Sequence, residues 1–165
     1  MLVETVSKYT QAFDPCFVVI RDHDDAVEQL LRAHFGHQVR VITSQDAVFG
    51  MGASLANGAQ HIIAEHTGLH ALFIGHGDMP FVDESSLARL HRTMEGLSPC
   101  VAPVILRPRF KGVPGHPVGF ARMFVNELAQ LSGDVGARPV LASHPDAVQT
   151  IEIDDPGVCL DLDTS

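Results

Sequence analysis

Four short apolar runs rich in β-branched residues, set between stretches of helical period, constrain this chain more than any other feature. They are Cys16 to Ile20, Val39 to Ile42, Ala71 to Ile74 and Val101 to Leu106. A continuous apolar run without alternation is the pattern of a parallel strand covered on both faces. Between the runs, Val3, Val6, Tyr9 and Phe13 recur at three to four residues and mark one face of a first helix, which Asp14-Pro15 ends. Val27, Leu30, Leu31 and His34 mark a second, with Asp24 or Asp25 as its cap and Gly36 as its stop. Leu55, Ala59, Ile62 and Ile63 face inward from a third, and Asp83 is placed to cap a fourth over Glu84 to Met94. Strands alternating with helices predict an α/β fold with a mostly parallel sheet, right-handed crossovers and a ligand site at the carboxyl ends of the strands. Further on, Pro108 to Pro117 reads as a long loop and Val118 to Phe120 as a short strand. A helix over Met123 to Leu131, a tight turn Ser132 to Gly136 and a helix over Ala137 to Ser143 follow, then strands at Val148 to Ile153 and Val158 to Leu162.

A length of 165 residues predicts a single domain over 1–165. At 45% hydrophobic and 19% charged residues, the chain is too apolar for intrinsic disorder. Eleven Lys and Arg against twenty Asp and Glu leave a net charge of −9, which argues against a broad nucleic-acid contact. Any phosphate must then be held by backbone amides, a metal or a few local cations. Cys16, Cys100 and Cys159 are far apart and in no metal-ligand spacing, as expected of buried thiols in a reducing compartment. No stretch has the length of a signal h-region or a membrane span, so the expected location is the cytoplasm, away from any membrane.

Several polar residues stand where chemistry is done. Asp78 follows the Ala71 to Ile74 strand in a turn closed by Pro80. A carboxylate there suits Mg²⁺ held against nucleotide phosphates, and equally suits a turn-forming cap. His76 reads as a solvated loop histidine. Gly50 to Gly58 runs from a flexible turn into a helix N-terminus whose free N–H groups suit an anion or a ligand hydroxyl, although no Walker lysine follows and Ser54 as an ordinary cap explains it as well. Arg107, Arg109 and Lys111 precede Gly115-His116-Pro117 and either screen an anion or face solvent. Asp134 and Arg138 flank the Gly133 to Gly136 turn, as a ligand site or as an internal pair. Asp161 and Asp163 alternate onto one face of a final strand, as partners of Asp78 at a metal or as a solvated acidic tail.

The order of these signals is more telling than any one of them. Gly50-Met-Gly-Ala-Ser-Leu, Gly77-Asp-Met-Pro-Phe-Val, Gly115-His-Pro-Val, Leu131-Ser-Gly-Asp-Val-Gly-Ala-Arg, Asp154-Asp-Pro-Gly and Asp161-Leu-Asp-Thr, spread from Leu2 to Thr164, closely resemble the MobA-like nucleotidyltransferases. Within them the cytidylyltransferase branch of molybdenum cofactor synthesis is most similar. The resemblance implies a Rossmann-like nucleotidyltransferase domain, its mostly parallel sheet flanked by helices, and transfer of CMP, or of GMP, from CTP or GTP to a phosphorylated acceptor of the molybdopterin type, with Mg²⁺ and release of pyrophosphate. Asp78 would be the catalytic metal ligand, with Asp163 near the metal. Gly52, Ser54 and Leu55 would line the nucleotide's base and ribose, and Gly115, His116, Pro117, Gly133 and Asp134 would border the acceptor. A molybdoenzyme or a second copy of the chain is the expected protein partner.

The sequence departs from that family at its start. The family opens with a strand and a Gly-rich loop of the form Leu-Ala-Ala-Gly-x-Ser-x-Arg-Met-Gly, then a lysine that holds the triphosphate. Neither is present here, and Lys8 lies inside the first helix. The expectation is a shortened family member whose central strand is missing and whose two neighbouring strands each expose an edge. The alternative function is a non-catalytic homologue that binds a pterin, a nucleotide or a partner protein.

Overall fold

The computed structural model describes residues 1–162. In chain order its elements are α1 (Leu2–Ala12), β1 (Cys16–Arg21), α2 (Asp25–Phe35), β2 (Val39–Ser44), α3 (Met51–Glu65), β3 (Ala71–Ile74) and α4 (Glu84–Gly96). There follow β4 (Ile105–Phe110), β5 (Val113–Pro114), β6 (Val118–Ala121), α5 (Val125–Leu128), α6 (Arg138–Ser143) and β7 (Val148–Glu152). The chain divides into two compact units, each built from segments distant in sequence. One comprises Pro15–Leu69 with Met123–Pro145, the other Met1–Asp14, His70–Arg122 and the stretch from Asp146 on. None of the described helices is long and apolar enough to cross a membrane.

In the first unit β1 and β2 pair in parallel from Cys16 against Val39 to Arg21 against Ser44. Leu31 of α2 is fully buried, and α3 packs on the sheet through Ala56, Ala59 and Ile62. Gly58 permits the close approach, because a Cβ there would lie 2.8 Å from the Val19 side chain. The Gln60 side-chain amide donates to the Ala129 carbonyl just past α5, at 2.9 Å.

The second unit is organised around β6, all four residues of which are buried. β3 lies antiparallel on one side of it, Ile74 against Val118, and β4 antiparallel on the other, Leu106 against Gly119. β7 runs parallel to β4, so β3, β4 and β7 share one direction while β5 and β6 run against them. Leu87, Leu90 and Met94 of α4 and Phe120 of β6 are fully buried, and α1 packs on α4 with its Phe13 ring 4.7 Å from Phe73.

Four features differ from the sequence expectation. Burial is partial along Cys16–Val19 and throughout β3, not complete on both faces, because β1 and β3 each ladder along one edge among the described residues. The fourth strand begins at Ile105, since Pro103 interrupts Val101 to Leu106 and leaves Val101 79% exposed. It therefore carries Arg107 to Arg109 on a strand, and the expected loop becomes a β4–β5 hairpin turning at Lys111 (φ 48°) and Gly112 (φ 80°). Pro108 offers no N–H to a ladder, and its carbonyl accepts from Gly115 N–H at 2.8 Å. The expected final strand is a 3₁₀ turn, Pro156–Cys159, followed by residues 160–162 with no ladder partner among the described residues, and Asp163 lies outside them. Cys100 is exposed, so the three thiols are not all buried as expected, and all three are free.

Candidate functional site

In the second unit the carboxyl end of β3 leads into Gly75 to Pro80, the segment that carries Asp78. Apolar pegs hold it: Met79 and Val82 are buried with Leu87 and Val158, and Tyr9 of α1 and Phe13 just past its end pack against that cluster. The Lys8 ammonium donates to the Pro80 carbonyl, which gives this lysine a positioning role within α1. Leu162 N–H donates to the Asp78 carbonyl at 2.9 Å. The Asp78 side chain is half-buried and enters no hydrogen bond or ion pair among the described residues. A fixed backbone thus presents an uncommitted carboxylate. Among the described residues no three His, Cys, Asp or Glu groups gather into a metal cage. One carboxylate with open valences fits a hard cation of the Mg²⁺ type, which takes one or two carboxylates and completes its shell with waters and phosphate oxygens.

Gly115, His116 and Pro117 lie on the same side of this unit. His116 N–H donates to the Val158 carbonyl at 2.8 Å, and a Cβ on Gly115 would collide with that same carbonyl, so the strand start is pinned to the Pro156–Cys159 turn. The His116 and His76 rings meet edge to face, centroids 4.3 Å apart. His76 is therefore half-buried and partnered, not the solvated loop residue the sequence suggests. Burial first, then the neighbouring His76 and Arg107, push the His116 imidazole down to about 4 against a partial counter-effect of Asp161, so it is neutral at pH 7.

In the other unit Gly52, Ser54, Gly133 and Asp134 come together. Met51 N–H donates to Asp134 Oδ1 at 3.1 Å, and Gly52 and Ala53 N–H donate to the Gly133 carbonyl at 2.8 and 3.4 Å. Ser54 N–H donates to Gly50. The first four donors of α3 are thereby taken up inside the chain, where the sequence reading has them free for an anion. The glycines make this possible: a Cβ on Gly52 would stand 2.5 Å from the Ser132 carbonyl, and one on Gly50, at φ 115°, 2.6 Å from Asp134 Cα. Leu55 is half-buried on the same helix. The charged side chains of the turn show Asp134 bonded to α3, and no ion pair of Asp134 with Arg138 is present among the described residues.

One site-shaping residue escapes sequence reasoning altogether. Asp155 is 3% exposed, and its carboxylate accepts from Asp83 N–H, Ser86 Oγ and Gly157 N–H at 2.9, 2.7 and 2.8 Å. It caps the start of α4 from 72 residues away, while the Asp83 side chain makes no cap bond. Only its place in the Asp154-Asp-Pro-Gly motif signals it.

The sequence profile of the MobA-like NTP transferase domain matches residues 1–148, and the chain belongs to that family. Among solved structures, it is similar to Rv0371C of Mycobacterium tuberculosis H37Rv in complex with manganese, at 24% identity over 99% of this chain and 80% of that one, with a TM-score of 0.75. It is similar to the 4-diphosphocytidyl-2C-methyl-D-erythritol synthase of Anaerococcus prevotii DSM 20548, at 13% identity over 99% and 80% of the two chains, TM-score 0.71. It also resembles the molybdopterin-guanine dinucleotide biosynthesis protein A of Archaeoglobus fulgidus, at 17% identity over 90% and 70%, TM-score 0.54. No curated protein matches the sequence.

Proposed function

We propose that this chain, read as one nucleotidyltransferase domain of the cytoplasm, moves CMP from CTP, in preference to GMP from GTP, onto a phosphorylated acceptor of the molybdopterin type. An acceptor phosphate oxygen forms a bond to the α-phosphorus in line with the breaking bond to the bridging oxygen, and pyrophosphate leaves with that electron pair. Such a step needs positioning and charge neutralisation more than covalent help from the protein. Asp78 would hold Mg²⁺, which when bound neutralises charge developing on the phosphates. Asp163, from the sequence reading, is its second group. Gly52, Ser54 and Leu55 would line base and ribose, and Gly115, His116, Pro117, Gly133 and Asp134 would border the acceptor. The observation that carries this reading is the uncommitted, rigidly mounted Asp78 carboxylate in a chain of this family. The Archaeoglobus neighbour, by its name, supports the acceptor class, and the Anaerococcus neighbour supports a cytidyl donor.

The test is pyrophosphate release from CTP, GTP and ATP with Mg²⁺ and molybdopterin. Release that is fastest with CTP and falls at least a hundredfold in Asp78→Ala supports the proposal. Release unchanged in that variant would remove Asp78 from the chemistry. A second reading, a binding protein without turnover, is favoured by one observation: the α3 N-terminal donors are spent on Gly133 and Asp134. Saturable CTP binding with no pyrophosphate would select it.

A further inference from the structure

We infer that His76 is a positioning residue: its ring braces the turn that carries Asp78 against His116, and so sets the carboxylate on which the proposed metal site depends. This deepens the nucleotidyl-transfer reading and rests on it. The need for a brace follows from what surrounds His76. The β3–β6 ladder ends at Ile74 against Val118. Pro117, next along the same line and opposite Gly75, has no N–H with which to extend it. The next backbone hold on the turn among the described residues is the Asp78 carbonyl, which accepts from Leu162 N–H. Of the three residues between, two are glycines, and α1 keeps them so. A Cβ on Gly75 would collide with the Tyr9 hydroxyl, and one on Gly77 would stand 2.9 Å from Leu2 Cδ1. His76 is thus the only side chain between Ile74 and Asp78, with the freest of backbones on either side of it.

The ring leans on something fixed. Two residues past the Ile74–Val118 pair the antiparallel count sets His76 opposite His116, and the two rings meet edge to face, centroids 4.3 Å apart and planes at 80°. His116 is itself held, since its N–H donates to the Val158 carbonyl at 2.8 Å and Gly115 beside it approaches that carbonyl too closely for any Cβ. Val158 is fully buried in the same apolar cluster as Met79, the residue after Asp78. The contacts close a circuit from Asp78 through His76, His116 and Val158 to Met79, which grips the backbone of the carboxylate from both sides. Without the ring, the downstream side keeps Met79, Val82, the Lys8 bond to Pro80 and the Leu162 bond, while the upstream side is held at Ile74 alone. A carboxylate that meets Mg²⁺ at about 2.0–2.1 Å tolerates little such slack.

The experiment titrates the intact chain with Mn²⁺ alone, followed by electron paramagnetic resonance, and measures ¹⁵N order parameters of the Gly77 and Asp78 amides beside it. In His76→Ala and in His76→Gln, which lack a ring, the Mn²⁺ Kd is expected to rise about tenfold and the order parameters to fall from about 0.85 to below about 0.6. His76→Phe keeps a ring for the edge-to-face contact, so its Kd is expected within about twofold of the parent, with the order parameters retained. Where Asp78→Ala abolishes Mn²⁺ binding, an unchanged Kd in both ring-less variants overturns the inference. A Kd in His76→Phe as weak as in His76→Ala overturns it as well, because the imidazole nitrogens and not the ring contact would then be what the metal needs. If the parent binds no Mn²⁺, or Asp78→Ala binds it equally, the metal reading at Asp78 fails and the order parameters decide the brace. A fall in the ring-less variants that phenylalanine prevents upholds it, and constant values overturn it.

Discussion

Two aspartates, each far in sequence from the helix it serves, start the helices that border the candidate sites. Asp134 feeds α3 and Asp155 feeds α4, whereas the local residues a sequence reading selects, Ser54 and Asp83, do not supply the cap carboxylate or hydroxyl. Propensity rules name a residue type at a position next to the helix, and a cap delivered by another segment is invisible to them. Asp155→Ala strands three donors, two of them backbone N–H groups, and is expected to destabilise the fold by about 3 kcal/mol, lowering Tm by roughly 6–12 °C. A melt within about 2 °C of the parent would show that water replaces the carboxylate without loss. His116 gives a pH signature. Its ordinary value of 6.5 falls to about 4 in the fold, so the unfolded chain takes up the proton first as pH drops. Stability from this group is complete above 6.5, is lost as pH falls through that window and is gone below 4. The full shift corresponds to about 3 kcal/mol, and partial exposure of the ring reduces the expected loss to roughly 1–2 kcal/mol. The difference in Tm between pH 7 and pH 4.5 should therefore shrink in His116→Gln, and an unaltered difference would contradict the assignment.

At the scale of elements, the apolar runs announce β1, β2 and β3 almost to the residue, because a continuous β-branched stretch has few other uses. They mislead over β4. There the run starts the strand at Val101, before Pro103, and the prolines and glycines from Pro108 on suggest a loop, while β6 and β7 on either side supply the ladder that holds Ile105 to Arg109 extended. Long-range pairing decides that strand, and no local pattern reports it. The same pairing sets which strands are half-covered. β6 has neighbours on both edges and is buried throughout, whereas β1 and β3 pair on one edge. Hydrogen exchange should follow: Gly119 and Phe120 amides uniformly protected, and protection alternating residue by residue along Cys16–Arg21 and Ala71–Ile74, since every second N–H points away from the only partner. Uniform protection along β1 would mean that its second edge is covered in solution.

For the whole molecule, order of motifs carried more than any spacing. Six segments in a fixed sequence indicate the family, and the fold explains why they are kept in one chain: Gly77 to Val82, Gly115 to Val118 and Asp154 to Gly157 meet in one unit through Val158 and Asp155, and Gly50 to Leu55 meets Gly133 to Asp134 in the other. Asp78 stands in the turn after β3, the position that its sequence context indicates. The His76–His116 ring contact is not legible, because it depends on the register of β3 against β6. The most direct test of nucleotide-dependent chemistry at Asp78 is a thermal melt of the intact chain with CTP, GTP and ATP, each with and without Mg²⁺, in the parent and in Asp78→Ala. A ligand that binds only the native state raises Tm, and a hundredfold excess over Kd adds about 2.7 kcal/mol, or roughly 5–11 °C here. If Asp78 holds the metal of the nucleotide site, CTP with Mg²⁺ gives the largest rise and Asp78→Ala abolishes it. An equal rise in the variant, or no rise with any nucleotide, would contradict that assignment.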